Sequence, residues 1–211
     1  MKSKNRVKNL GEVYTPNFVV KDMVGRMKDL NFSSKFFEPG CGDGNFIEEI
    51  IKLKFKLASQ TNEIKKLKKV EDDSKLANFI ILQAISSIYG VDIDKKNIEE
   101  CRLRFFTTFE SEYKKIFKKT SNEDFTKLIR QIINCNIVQG DLINGTSKIL
   151  INEYSALDGM KINLKTYNYE DLIFPTDEVF KDDSKLFYHI PTPVREHSPV
   201  YFMNLGDLLE S

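Results

Sequence analysis

Residues 36 to 46 read Phe-Phe-Glu-Pro-Gly-Cys-Gly-Asp-Gly-Asn-Phe, two aromatics running into a carboxylate, a proline and three alternate glycines. With no Cβ at Gly40, Gly42 or Gly44, the backbone can turn sharply there and pass close to a ligand. The neighbouring residues decide which ligand. A Walker-type phosphate cradle needs a Gly-Lys-Ser or Gly-Lys-Thr ending that this loop lacks, and the glycine spacing differs from the GxGxxG dinucleotide fingerprint. Glu38 stands just before the turn, where a carboxylate repels pyrophosphate but suits a ligand carrying ammonium or sulfonium charge.

Two more acids extend the pattern. Asp92 closes the apolar run Tyr-Gly-Val-Asp, at the position where a doubly wound nucleotide-binding fold places an acid on ribose hydroxyls, with Ile93 next to it to lie against an adenine face. Asp141 follows Asn-Ile-Val-Gln-Gly and can accept a hydrogen bond from an adenine amino group, with Leu142 to flank the ring. Each piece alone is commonplace. In this order they provide methionine, ribose and adenine contacts, and the expected cofactor is S-adenosylmethionine (SAM). Cys41 invites a nucleophile reading, but a small side chain filling the loop explains the position without a histidine near it in sequence. The only histidines, His189 and His197, have no Cys or His partner at ligand spacing, so no metal site is expected.

The elements that must position these residues alternate between apolar runs and helical patterns, which predicts an α/β fold with a doubly wound, mostly parallel Rossmann-like sheet. Strands are expected at 36–38, 86–93 and 136–139. Helices are expected at 17–30, with Val20, Val24 and Met27 on one face, at 45–57 and at 95 to about 109. Thr15 reads as the N-cap of the first helix and Pro16 as its first turn. Residues 58–85, rich in lysine and helix formers, read as an added helical pair between the first two strands. The expected division is a cofactor-binding domain over 1–150 and an extension over 151–211 that completes or covers it.

The 211 residues, 41% of them hydrophobic, suffice for one domain with its own core. With 32 Lys plus Arg against 31 Asp plus Glu, the chain as a whole exerts no pull on nucleic acid or membrane, so any such partner must be met through a local patch. Residues 52–56 (KLKFK) and 65–69 (KKLKK) are the candidates for a DNA-facing patch, although solvated helix faces look the same and residues 71–73 (EDD) cancel the second. Three unpaired cysteines and an N-terminus without an apolar leader predict a reduced, cytoplasmic protein. No stretch reaches the roughly 18 to 20 apolar residues of a membrane span.

The series GEVYTP, VVxxM, FFEPGCGDGNF, IYGVDIDKKNIEECRLR and NIVQGDL, over residues 11 to 144, resembles the cofactor-binding part of SAM-dependent DNA adenine-N6 methyltransferases of restriction-modification systems. The resemblance implies that Tyr14, Thr15 and Pro16 close over the methionine end of SAM. It makes Glu38, Pro39, Gly40, Cys41, Gly42, Asp43, Gly44, Asn45 and Phe46 the glycine loop, Asp92 the ribose acid, Ile93 an adenine-packing residue, and Asp141 with Leu142 the adenine pocket. The family's (N/D/S)PP(Y/F/W) motif, which holds the target amino group and stacks the flipped base, is missing, for no two prolines are adjacent. The nearest approach is Ser198-Pro-Val-Tyr201, with Ser198 as acceptor and Tyr201 as stacking ring; an extended surface segment with core aromatics is the plainer alternative. The C-terminal aromatics Tyr154, Tyr167, Tyr169, Phe174, Phe180, Phe187 and Tyr188 could stack on bases or simply cover a sheet face. Two functions follow: a methyltransferase acting on adenine in DNA, or a non-catalytic SAM-binding module, which is a truncated or partner-dependent relative, either a subunit whose restriction-modification partner supplies the chemistry or a remnant of such a methylase.

Overall fold

The computed structural model describes residues 15–67, 74–145, 149–173 and 191–210. Three short strands, β1 (Phe36–Pro39), β2 (Ile88–Asp92) and β3 (Ile137–Gln139), form a parallel sheet in the order β1-β2-β3. Glu38 lies opposite Gly90, and Gly90 opposite Ile137, so all three strands end on one rim. Among the described residues β1 pairs only with β2. The protein is thus a mixed α/β structure with a parallel sheet.

Parallel neighbours need crossover connections, and here helices supply them. Between β1 and β2 run α2 (Asn45–Ser59), α3 (Asn62–Leu67) and α4 (Ser74–Ser86); between β2 and β3 run α5 (Lys95–Phe117) and α6 (Glu123–Asn136). The helical insertion expected over 58–85 is α3 with α4. Each boundary has a local cause. Gly44, at φ 91°, starts α2; the Asp94 side chain accepts from Lys96 N–H to start α5; Asn122 accepts from Phe125 N–H to start α6. Phe125, Leu128, Ile129, Ile132 and Ile133 recur at helical spacing and are all buried, so α6 gives one full face to the core. That core lies among α2, α4, α5 and α6, where Phe109 meets Phe55 and Phe125 with ring centroids 6.1 and 6.2 Å away.

Several expected bounds shift. The first helix, α1 (Asn17–Gly25), stops five residues early, burying Val20 and Val24 while Met27 lies beyond it and exposed. Its N-cap is Pro16, in extended backbone and without a side-chain cap bond, so Thr15 does not cap it. Strand β2 starts at Ile88 because α4 continues through Ser86, and β3 starts at Ile137 because Asn136 ends α6. Helix α5 continues past Phe109 to Phe117, since Tyr113 lands one turn on and stacks against Phe109 at 5.8 Å.

The C-terminal part builds a second, antiparallel sheet. Strands β4 (Leu150–Leu157) and β5 (Lys161–Asn168) form a hairpin, followed by α7 (Tyr169–Ile173), and β6 (Arg195–Glu196) and β7 (Val200–Tyr201) both pair with β5. A 3-10 turn at Phe202–Asn204 and α8 (Leu205–Leu209) end the described chain. Side chains join this sheet to the first. Lys35 pairs with Glu153, Tyr154 Oη donates to Asn136 Oδ1 at 3.0 Å, and the Phe37 and Tyr169 rings lie 5.3 Å apart. Phe36, by contrast, lies under Lys54 of α2. Strand alternation therefore gives Phe36 to the helices and Phe37 to the opposite face, where α7 lies. No helix among the described residues is long and apolar enough to cross a membrane.

Candidate functional site at the carboxyl rim of the parallel sheet

The glycine loop leaves β1 at Pro39. Gly40 N–H and Cys41 N–H both donate to the Val91 carbonyl, at 2.8 and 2.9 Å, so the loop folds back over the end of β2. All three glycines lie in the left-handed region, at φ 74°, 55° and 91°. Their side-chain spaces differ. A Cβ at Gly40 or Gly42 would meet no protein atom within 4 Å, whereas one at Gly44 would come 2.9 Å from Cys101 Sγ on α5. The first two glycines thus leave open space, and the third is required by packing against α5.

Asp92 joins the loop to the rim. Its Oδ2 accepts Gly42 N–H at 2.9 Å, and its Oδ1 accepts Asp94 N–H at 2.8 Å and the Asn97 amide at 3.4 Å. A carboxylate offers about four acceptor positions, so one remains for an outside donor. The Asp92 carbonyl accepts Gly140 N–H at 3.0 Å, bringing the end of β3 alongside. Beyond it, Asp141 Oδ1 accepts the N–H groups of Ile143 and Asn144 at 2.9 and 3.0 Å, and Asn144 donates its side-chain amide to Oδ2. Those bonds, the Asn144 backbone N–H first, hold the Asp141 carboxyl below the ordinary aspartate range. The turn itself thus uses three of the acceptor positions, and, as at Asp92, one remains for an outside donor. Ile93 is 56% exposed and Leu142 half-buried, leaving apolar surface beside both acids.

The Glu38 side chain forms no hydrogen bond or ion pair among the described residues, and its burial pushes the carboxyl above the usual glutamate range. Asn45, the first residue of α2, has a buried Oδ1 with no hydrogen-bond partner. Both are acceptors with unused capacity at the loop. Asp43 differs from expectation, since its carboxylate lies 3.4 Å from Arg104 rather than standing free for a ligand. Cys41 is buried, and its thiol is pushed far above the ordinary cysteine range, first by a hydrogen bond with Cys101 and then by burial. That is the state of a packing residue and the opposite of an activated nucleophile. Phe46 is half-buried against the core, Pro39 is exposed, and Thr15 and Pro16 lie just before α1. Tyr14 lies outside the described residues.

Of the basic stretch 52–56, two of the three lysines are engaged within the protein and Lys56 is exposed. Lys54 is fully buried, with Nζ donating to the Phe32 carbonyl at 2.9 Å, to the Ser34 carbonyl and to Ser87 Oγ; Lys52 is paired with Glu48 and Glu49. Lys65 and Lys66 of the second stretch are exposed, and residues 68–73 lie outside the described residues. Ser198 is exposed, while Tyr201 sits on β7 opposite Lys161 and packs on Phe202 with ring centroids 4.9 Å apart. Tyr201 thus belongs to the antiparallel sheet, and Ser198 to the link between β6 and β7. Among the C-terminal aromatics Tyr169 meets Phe37 of β1, Tyr154 donates to Asn136 at the end of α6, and Tyr167 donates to Glu153 of β4; Phe174, Phe180, Phe187 and Tyr188 lie outside the described residues. No group of three His, Cys, Asp or Glu side chains among the described residues could hold a metal ion.

Two recesses open elsewhere. One of about 190 Å³ lies at the amino ends of β1 and β2, among Ser33, Lys35, Ser87, Tyr89 and Tyr154, and one of about 450 Å³ lies along α5 beside Leu103, Arg104 and Thr107. Neither contains Gly40, Gly42 or Asp92. The rim is therefore assigned from its acceptors and its open glycine faces, not from concavity. Compared with family models, curated proteins and solved structures, the chain has no match.

Proposed function

We propose that this chain binds SAM at the carboxyl rim of its parallel sheet, as a Rossmann-like relative of the DNA adenine-N6 methyltransferases. The observation that carries the proposal is the bond from Gly42 N–H to Asp92, which draws the glycine loop and the second strand end into one acceptor-lined rim with Asp141 beside it. The residues present fit the cofactor. Glu38 and Asn45 Oδ1 have unused accepting capacity for an ammonium group, and Gly40 and Gly42 leave room for close approach. Asp92 retains one acceptor position for a ribose hydroxyl, and Ile93 and Leu142 offer apolar surface to a purine. When bound, SAM supplies an electrophilic methyl group on a sulfonium. The chain's own contribution is to hold the cationic end by charge and the nucleoside end by hydrogen bonds, so that the methyl group is presented rather than activated.

Transfer to adenine needs an acceptor for the amino group and a ring to stack on the flipped base. The Tyr201 ring packs on Phe202 and Ser198 lies in the exposed link between β6 and β7, and this placement favours the second reading, a SAM-binding subunit whose restriction-modification partner completes the chemistry on DNA. Calorimetric titration with SAM and with S-adenosylhomocysteine tests the binding. A measurable affinity that Asp92→Ala weakens supports it, and no heat of binding to the folded wild type refutes it. Labelled methyl transfer to mixed DNA then separates the two functions, with weak or no transfer expected from this chain alone.

A further inference from the structure

A loop with three left-handed glycines in five residues surrenders more backbone freedom on ordering than a glycine-free loop of its length. Something must hold it. Asp92 does so from the ligand side, at Gly42. The second hold comes from outside. Arg104, on the face of α5 that also presents Cys101 to Gly44, donates Nε–H to the Asp43 carbonyl at 2.9 Å and Nη1–H to Glu48 at 3.0 Å, and its Nη2 lies 3.4 Å from the Asp43 carboxylate. One planar fork thus spans the loop and the first turn of α2. A guanidinium can make these contacts at once where an ammonium can make only a point contact. The Asp43 carbonyl belongs to the peptide that joins it to Gly44, so fixing it orients that peptide, while the contact to the Asp43 carboxylate holds the residue that follows Gly42.

We propose that Arg104 is the positioning residue of the glycine loop, fixing Gly42–Gly44 in the conformation that receives the ligand through its hold on Asp43 and Glu48. This rests on the SAM reading for the identity of the ligand, but the loop-holding role can be read without one. The test compares wild type with Arg104→Gln, Arg104→Lys and Glu48→Gln by amide hydrogen exchange of the ligand-free proteins and by calorimetry with S-adenosylhomocysteine. In Arg104→Gln, exchange at residues 42–46 should rise at least tenfold while β5 amides stay unchanged, and affinity should fall at least tenfold. Arg104→Lys should recover only part of both, and Glu48→Gln should stay near wild type because the bond to the Asp43 carbonyl survives. Unchanged loop exchange in Arg104→Gln, equal acceleration in loop and β5, or full recovery by lysine would each overturn the proposal. A wild type that binds no S-adenosylhomocysteine would overturn the SAM reading instead, leaving the exchange result to decide the role of Arg104.

Discussion

Lys54 ties three separate segments together, and its burial has a measurable consequence. Its ammonium is fully enclosed beneath the entry to β1, and that burial pushes it down to about 7 even though three oxygens accept from it. An unfolded lysine titrates near 10.4. Between those values the unfolded chain binds the proton more tightly than the folded one, so stability must rise with pH across that window. From pH 7 to pH 9 the difference integrates to roughly 2 kcal/mol for a site with these two pKa values. Lys54→Met keeps the length of the side chain and removes the titration. Urea unfolding of both proteins at pH 7, 8 and 9 isolates the increment, because every other titrating group is shared and cancels in the difference. Wild type should gain roughly 2 kcal/mol over the mutant across that range. Parallel profiles would refute the argument and show that the three acceptors, rather than burial, set the proton affinity of Lys54.

Other outcomes follow from the rim. Because burial raises the Glu38 carboxyl, affinity for a cationic ligand should fall as pH drops through that raised value, at a higher pH than for an ordinary glutamate, and Glu38→Gln should flatten the profile in calorimetry. Gly44→Ala should cost about 3 kcal/mol, from positive φ together with the 2.9 Å clash on Cys101, whereas Gly40→Ala should cost only about 1 from backbone strain; thermal unfolding ranks them. Gly42→Val should leave a folded protein that no longer binds, and retained binding would place the ligand elsewhere. Asp92→Ala should weaken SAM binding more than Asp141→Ala does, because Asp92 also holds Gly42 of the glycine loop while Asp141 holds only its own turn; equal losses in titration would contradict that ranking.

Much of the parallel sheet was legible because its signals are local. An apolar run, a glycine turn and a following amphipathic stretch each announce themselves within a dozen residues, and β1, β2 and β3 fall inside or within a residue of their expected spans. What was lost depended on partners distant in sequence. Residues 52–56 looked like a solvated basic face, yet Lys54 stands four residues from both Ile50 and Ala58 on the buried side of α2; the spacing carried the signal and the charge masked it. The hairpin β4–β5 also passed unread, although Asp158-Gly159 between two alternating runs is a strong short-range hairpin signal. The end of α5 was placed too early because residues 110–115 are polar, and only the packing of Tyr113 on Phe109 and Phe125 shows why the helix goes on. At the site, the acids were found from their positions at strand ends, but how far each is already engaged could not be. Asp92 is tied to Gly42 across 50 residues of sequence, and Arg104 to Asp43 across 61.

The two thiols behind the loop leave a mark on how such a chain can diverge. Gly44 gives its missing side chain's room to Cys101, and Gly90, at the centre of β2, leaves only 3.1 Å between a would-be Cβ and Cys41. Each glycine therefore sets the largest residue its neighbour can hold. In descendants of this sequence, substitutions at 41 and 90, and likewise at 44 and 101, should arise as compensated pairs of nearly constant summed volume, and an unpaired change at either place should persist only with a stabilising change elsewhere.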